Sequence, residues 1–413
     1  MSAPGPRVMV ALGNAQLFGQ ERENVEVLRA ARAAGVDALF VTNERWGHRE
    51  IEPALDRHGL AWARLGYAWH FTHRLPRAQW LPNLGRLATG SRQFLRLMRT
   101  YRPTHIQVAN PHYVLGILGA LSLTRTPVIF RLGDAPTVHH ALYRQLWQRA
   151  ILPRTARFVC VSTFIQRQII ALGADPAKTE VVRPLPPTRP APTGDGGLPA
   201  DLRAEIDGTA PAFAGRTVVF VGEVGAHKGV HLLVEALGTL LADGHAVRLL
   251  VAGQHKGAPD SPFVRDLLAR VAALPAVADN ADVVRFLGYV EDIAGLLRLA
   301  DVHAAPSICE EAAGLVVAEA KQAGVPSVVF PSGGMPEFVQ THGEDGWVCD
   351  APTPAALADG LRHYLAMDDA ALAACGRAAG ASLEAVVGTP EQFAAAWRRI
   401  YDETARGPYP AAP

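Results

Sequence analysis

Short apolar runs alternating with helical stretches, repeated from one end of the chain to the other, constrain this sequence more than any other feature. Residues 7–12 form an apolar run, 13–20 a loop, and 21–33 has helical spacing that ends at Gly35. Further short apolar strands are expected at 37–41, 105–109, 127–132 and 157–161, then at 217–221, 247–252, 283–288, 302–305 and 327–330, with helical segments between them. Strands this short, apolar on both faces and separated by helices, can bury themselves only in parallel sheets covered by helices on both sides. Ligands of such sheets bind beyond the carboxyl ends of the strands, so the turns that follow the strands are where chemistry is to be sought.

At 413 residues the chain exceeds what one core accommodates and suits two domains. Pro184, Pro186, Pro187, Pro190 and Pro192 follow in quick succession, and 183–211 reads as a semi-rigid connector that cannot hold a helix. The expected division is a first domain at 1–190, a linker at 191–214, a second domain at 215–388, and a final helix at 389–413 carrying Phe393, Trp397, Ile400 and Tyr401 on one side. A net charge of +1 gives no general pull toward nucleic acid. The four cysteines, Cys160, Cys309, Cys349 and Cys375, lack the spacing of a zinc site or a disulfide framework, which fits a reducing cytoplasm. No apolar stretch is expected to approach the roughly 20 residues that span a bilayer, and the N-terminal apolar run is too short for a signal peptide.

The turn after the strand at 302–305 reads PSICEEAAGLVVAEAKQAG over 306–324. Glu311 and Glu319 stand eight positions apart, with Gly314 between them at the start of a helix. The amides of Gly314, Leu315 and Val316 then have no partner inside the helix, at the end where its dipole favours an anion, so a phosphate is the natural guest. Glu319, a little over one turn in, is placed to accept hydrogen bonds from a sugar hydroxyl, and Glu311 faces whatever the phosphate carries. Two solvated glutamates on an ordinary amphipathic helix are the plain alternative.

This pair of glutamates, with Pro-Ser before it and Glu-Ala closing it, resembles the signature of the retaining family 4 glycosyltransferases. The resemblance implies the α/β GT-B fold, two doubly wound Rossmann-like domains with an interdomain cleft, and a nucleoside-diphosphate sugar as donor. It further implies Glu319 on the ribose, the amides of Gly314, Leu315 and Val316 on the diphosphate, and Glu311 against the donor sugar. After the strand at 217–221, Gly222-Glu223 and Lys228-Gly229 are similar to the family's Gly-Arg and Lys-Gly turn, whose two cations neutralise the leaving diphosphate. Lys228 matches, whereas Glu223 replaces the expected arginine, and His227 or an arginine from elsewhere would have to compensate. Leu287-Gly288-Tyr289-Val290 resembles the base-binding turn, and Ser332-Gly333-Gly334-Met335-Pro336-Glu337 the family's second glycine turn. In the first half, Gly19 and Glu21 match a diphosphate-binding turn, with capping as the alternative role, and Asp134 remains of a histidine-acid pair whose histidine is replaced by Gly133. His112, His139 and His140 are the neighbouring candidates to fill that gap.

The implied activity is transfer of a sugar, with retention, from the donor to an acceptor hydroxyl. Lys228, Glu311 and Asp134 are the catalytic candidates, Gly19, Glu223, Leu287 and Gly288 join the donor site, and no metal or cofactor is required. A nucleotide-sugar-binding subunit with little activity and a sugar-nucleotide epimerase of the same fold are the rival readings. The expected partners are the donor and a saccharide, lipid-linked or small-molecule acceptor. Seven arginines, the first Arg74 and the last Arg102, interleave with apolar residues and no acid. That segment suits an anionic membrane at the inner face, a phosphate-bearing acceptor, or a solvated helix packed on the sheet.

Overall fold

The structure is a computed structural model, and it describes residues 5–12, 19–43, 50–66, 80–109, 114–136, 138, 141–187, 194–255 and 261–405. The chain divides into two compact units, Met1–Leu185 with Gly388–Pro413, and Pro186–Val387.

The first unit is built on seven parallel strands: β1 (Arg7–Ala11), β2 (Asp37–Asn43), β3 (Ala61–Leu65), β4 (His105–Val108), β5 (Val128–Leu132), β6 (Thr155–Cys160) and β7 (Thr179–Val181), in the order β3-β2-β1-β4-β5-β6-β7. β3 and β7 have no counterpart in the sequence reading. β3 alternates Arg64 and Trp62 with alanine at the sheet edge, and β7 is three residues long, so neither shows the apolar run that marks an inner strand. Strand order reverses between β1 and β4, where a doubly wound sheet opens for a ligand. The helix Gly19–Ala33 follows β1, and the final helix Pro390–Thr404 packs Phe393, Trp397, Ile400 and Tyr401 among Val8, Val10, Leu28 and Phe40.

Buried polar side chains tie this unit together. Arg131, fully buried on β5, is ion-paired with Glu23 and donates to the Val182 carbonyl at 2.8 Å, and it lies over the Trp397 ring. Tyr401 donates to Gln107 Oε1 at 2.5 Å, and Gln107 donates to Asn24 at 2.8 Å. Each buried polar group so engaged avoids a desolvation cost of order 1–3 kcal/mol.

The second unit carries six parallel strands: β8 (Arg216–Val221), β9 (Val247–Ala252), β10 (Val284–Gly288), β11 (Val302–Ala305), β12 (Ser327–Val329) and β13 (Gly346–Val348), in the order β10-β9-β8-β11-β12-β13. Here the order reverses between β8 and β11. The expected connector needs a correction, because Ala200–Ile206 is a helix, with Leu198 and Leu202 buried against Val219, Leu250 and Ile293. The prolines stop at Pro199, which sits at the N-cap, and none recurs before Pro211, so the intervening residues are free to be helical.

A second correction concerns apolar length. By length and composition alone, one stretch within Asp369–Thr404 is apolar enough to cross a membrane. Gly388, whose φ is +78°, separates the helix Asp369–Val387 from the next, which Thr389 begins with a capping box. The helix Asp369–Val387 buries Leu372, Cys375, Ala379 and Leu383 in the second unit, and Pro390–Thr404 belongs to the core of the first.

Candidate active site

The second unit assembles its polar side chains at the strand-order reversal. Because β8 and β11 are hydrogen-bonded neighbours, the turns that leave their carboxyl ends lie side by side. The first turn runs from Gly222 through Ala226–Lys228, and the second from Pro306 to Gly314. Gly229, at φ +70°, lets the two touch: a Cβ there would stand 1.9 Å from the Pro306 carbonyl oxygen. The His227 carbonyl accepts from the amides of Ile308 (2.8 Å) and Cys309 (3.1 Å), which fixes the lysine-bearing turn to the glutamate-bearing one.

On that frame Lys228 Nζ is ion-paired with Glu311 Oε1, and Ser307 Oγ donates to the same oxygen at 2.8 Å. Both charged side chains keep about a quarter of their surface open to solvent, so an incoming ligand can reach them. A third turn supports the pair from behind. Gly334 donates its amide to the Glu311 carbonyl at 2.7 Å, and Ser332 Oγ donates to the Cys309 carbonyl at 2.6 Å. Gly333, at φ +62°, approaches so closely that a Cβ would fall 2.1 Å from the Glu311 carbonyl oxygen, which is what its turn requires glycine for.

Gly314 is the N-cap of the helix Leu315–Gln322, in the left-handed region and with no side chain capping it. The helix start is therefore left to backbone amides, the arrangement that suits an anion. Glu319, buried on this helix, lines a groove of about 600 Å³ together with Asp292, Gly295, Arg298, Gln322 and Pro187. Leu287 is half-buried beside this region, and Gly288, at φ +69°, accepts the Gly253 amide at 2.7 Å.

Glu223, standing where a cation was expected, has its Oε1 3.7 Å from His227 Nε2. The sequence reading did not pick out Ser307, Ser332, Asp292 or Arg298 as site residues. Asp292 had a local signal, since it caps the helix Ile293–Leu297 by accepting the Gly295 amide at 2.8 Å. Ser307 and Ser332 stand inside the motif turns, but their bonds to the Glu311 carboxylate and the Cys309 carbonyl have no local sign.

In the first unit, Gly19 opens the helix that follows β1 and Asp134 is exposed just beyond β5. Glu21 is buried, and its carboxyl is pushed up to about 7, chiefly by burial and also by the charge of Asp134, against a backbone hydrogen bond that lowers it. His112, His139 and His140 lie outside the described residues, as do Arg74 and Arg77. Of the remaining basic segment, the helix Trp80–Tyr101 exposes Arg92, Arg96 and Arg99 and buries Phe94 and Met98.

A family model described as Glycosyltransferase Family 4 matches residues 19–185, and one described as Glycosyl transferases group 1 matches 215–367. The chain therefore belongs to the family 4, group 1 type of glycosyltransferases, with the GT-B fold of two parallel sheets. Among curated relatives, a D-inositol 3-phosphate glycosyltransferase of Geodermatophilus obscurus is 30% identical over 303 residues, 70% of this chain and 65% of its own length. A phosphatidyl-myo-inositol mannosyltransferase of Mycobacterium leprae is 29% identical, over 54% of this chain and 52% of its own length. Of solved structures, Anabaena HepE in complex with UDP and glucose superposes with a TM-score of 0.72 at 18% identity, covering 97% of this chain and 99% of its own. A glycosyltransferase of Rickettsia africae gives 0.76 at 15% identity, covering 98% and 100%.

Proposed function

We propose that this protein is a retaining, metal-independent hexosyltransferase that moves a sugar from a nucleoside-diphosphate donor to an acceptor hydroxyl. The observation that carries the reading is the Lys228–Glu311 pair at the strand-order reversal of the second unit, on the turn that ends at the uncapped helix start of Gly314. In this reading the diphosphate takes the amides of Gly314, Leu315 and Val316 and shares Lys228 with Glu311. Glu319 accepts from the ribose, and the groove beside it, with Leu287 and Gly288 at its margin, receives the nucleoside. Glu311 accepts from hydroxyls of the donor sugar. In the first unit, Gly19 and Asp134 are the candidate donor-contact residues.

The reaction breaks the bond between the anomeric carbon and the diphosphate oxygen and forms a bond to the acceptor oxygen on the same face of the ring. The departing phosphate oxygen takes the acceptor's proton, so no separate base is needed. Lys228 and the helix-start amides hold the negative charge that develops on the leaving group, the kind of fixed electrostatic support that dominates many enzymes.

For the acceptor, the names of the inositol-phosphate relatives and the exposed Arg92, Arg96, Arg99 and Arg102 favour a hydroxyl compound that carries phosphate, free or lipid-linked. A role in polysaccharide, glycolipid or glycoconjugate assembly in the cytoplasm, at the inner membrane face for a lipid-linked acceptor, follows from that choice. Glu223 favours one second reading, a nucleotide-sugar-binding subunit with weak activity, since it puts an anion where a diphosphate wants a cation. Calorimetric titration with uridine, guanosine and adenosine diphosphate sugars, before and after chelation of metals, separates these. Selective binding that survives chelation, with release of nucleotide diphosphate when an acceptor is supplied, is the expected result. Failure of every sugar nucleotide to bind would overturn the proposal.

A further inference from the structure

The Glu311 carboxylate is held by one of its two oxygens. Among the described residues its contacts all fall on Oε1: the Lys228 ammonium, the Ser307 hydroxyl at 2.8 Å and the Cys309 thiol at 3.8 Å. Oε2 is left for a ligand, and the side chain keeps 22% of its surface open to one. Of the two strong donors on Oε1, Lys228 has a second claim on it, because a diphosphate at the Gly314 helix start draws the same ammonium. Ser307 has no such rival. Its hydroxyl carries a single proton, and the other acceptor in reach, the His227 carbonyl, is uncharged and farther off at 3.4 Å. Resting on the donor-site reading above, we propose that Ser307 is a positioning residue for the donor sugar: it pins Oε1 of Glu311 and so sets Oε2 to accept from the sugar's hydroxyls.

The loop does not depend on this hydroxyl for its shape. Its backbone is fastened by other bonds: the amides of Ile308 and Cys309 donate to the His227 carbonyl at 2.8 and 3.1 Å, the Gly334 amide donates to the Glu311 carbonyl at 2.7 Å, and Ser332 Oγ donates to the Cys309 carbonyl at 2.6 Å. Ser307, short and buried, is a fixed donor, whereas the ammonium of Lys228 stands on a flexible four-carbon stem. Removing the Ser307 hydroxyl therefore leaves the loop in place and lets the carboxylate follow the lysine. The stretch from Pro306 to Gly314 carries Glu311 and leads directly into the helix-start amides. A displaced loop would disturb diphosphate and sugar together, whereas a turned carboxylate disturbs the sugar alone.

Paired titrations separate the two. Calorimetry compares UDP-glucose with UDP, and GDP-mannose with GDP, on the wild-type protein and on each variant. Ser307→Ala is expected to weaken binding of the nucleotide sugar about ten-fold or more, the worth of a hydrogen bond to a charged group, and to change affinity for the matching diphosphate by less than about two-fold. Ser307→Thr keeps the hydroxyl and is expected to bind both as the wild type does. Glu311→Ala has no carboxylate to position, so adding Ser307→Ala to it is expected to cost nothing further. If Ser307→Ala leaves both affinities unchanged or lowers both alike, or if it costs as much in the Glu311→Ala background as in the wild type, the inference fails while the donor-site reading stands. If Ser307→Ala does not fold, Ser307→Cys decides, since it keeps the shape of the side chain with a weak donor. Selective loss of the nucleotide sugar in it supports the assignment, and wild-type affinities refute it. If none of the four nucleotides binds the wild-type protein, the donor-site reading falls and this inference falls with it.

Discussion

Replacing Lys321 by methionine tests how the helix Leu315–Gln322 is held. Lys321 is fully buried and Asp345 nearly so. Its ammonium donates to Asp345 Oδ2 at 2.6 Å, to the Asp345 carbonyl at 2.9 Å and to Ser382 Oγ at 2.7 Å. These contacts tie the helix Leu315–Gln322, which bears Glu319, to the loop before β13 and to the helix Asp369–Val387. Asp345 in turn accepts the amides of Gln340 (3.1 Å) and Thr341 (2.9 Å). Burial would raise its carboxyl, but hydrogen bonds from Lys321, Ser382 and Thr341, with the lysine charge, hold it below the usual aspartate range. Methionine preserves most of the stem and leaves that carboxylate buried without its cation.

Breaking a buried pair from one side costs about 3–5 kcal/mol. For a unit of about 200 residues this corresponds to a fall of about 6–20 °C in melting temperature. The sign with pH follows from the orphaned carboxylate. In Lys321→Met the stabilisation from the lowered wild-type pKa is lost, and the folded-state pKa of Asp345 rises above its unfolded value of about 3.9, so a further loss sets in as pH rises from about 4 and is complete above the new value. The double variant Lys321→Met, Asp345→Asn removes the charge while keeping an acceptor for the two amides, and is expected to regain most of the loss. Urea and thermal unfolding at pH 4.5 and 8 measure all three proteins. A single variant within about 1 kcal/mol of wild type at pH 8, or a double variant no better than the single, would refute the reasoning.

Three further outcomes are expected. Glu319→Ala should weaken nucleotide binding by about 1.5–3 kcal/mol, the worth of a hydrogen bond to a charged group, and unchanged affinity by calorimetry would remove Glu319 from the ribose. Lys228→Ala should lower turnover in a nucleotide-release assay far more than it lowers the melting temperature, and equal losses in both would make Lys228 a structural partner of Glu311 alone. His303, fully buried on β11 with Nδ1 3.0 Å from Ser327 Oγ, is pushed down to about 4 by burial. Its depressed value means stability is complete above the free-histidine pKa near 6.5 and is lost as pH falls toward 4, by about 3 kcal/mol in all. His303→Gln should flatten that part of the pH–stability curve, and an unchanged curve would place the acid sensitivity elsewhere.

The sequence made legible what is encoded locally, and the limit of that rule can be followed residue by residue. Inner strands such as β9 and β11 declare themselves by apolar runs, and Gly314 marks a helix start by its position between two glutamates. Edge strand β3 and the helix Ala200–Ile206 escape notice because one lacks the apolar run and the other hides among prolines. The contact between Lys228 and Glu311 spans 83 positions and has no local sign. It exists because β8 and β11 are paired at the point where strand order reverses, so turns distant in sequence must meet there. By the same reasoning nothing local marks Lys321, and only the packing of Asp345 and Ser382 over it makes it a buried ion. Motifs therefore point to candidate turns, whereas the partner of each charge is a property of strand order. Glu223 shows why that matters: its own turn puts a carboxylate where a cation was expected, and only the fold sets it 3.7 Å from His227 Nε2.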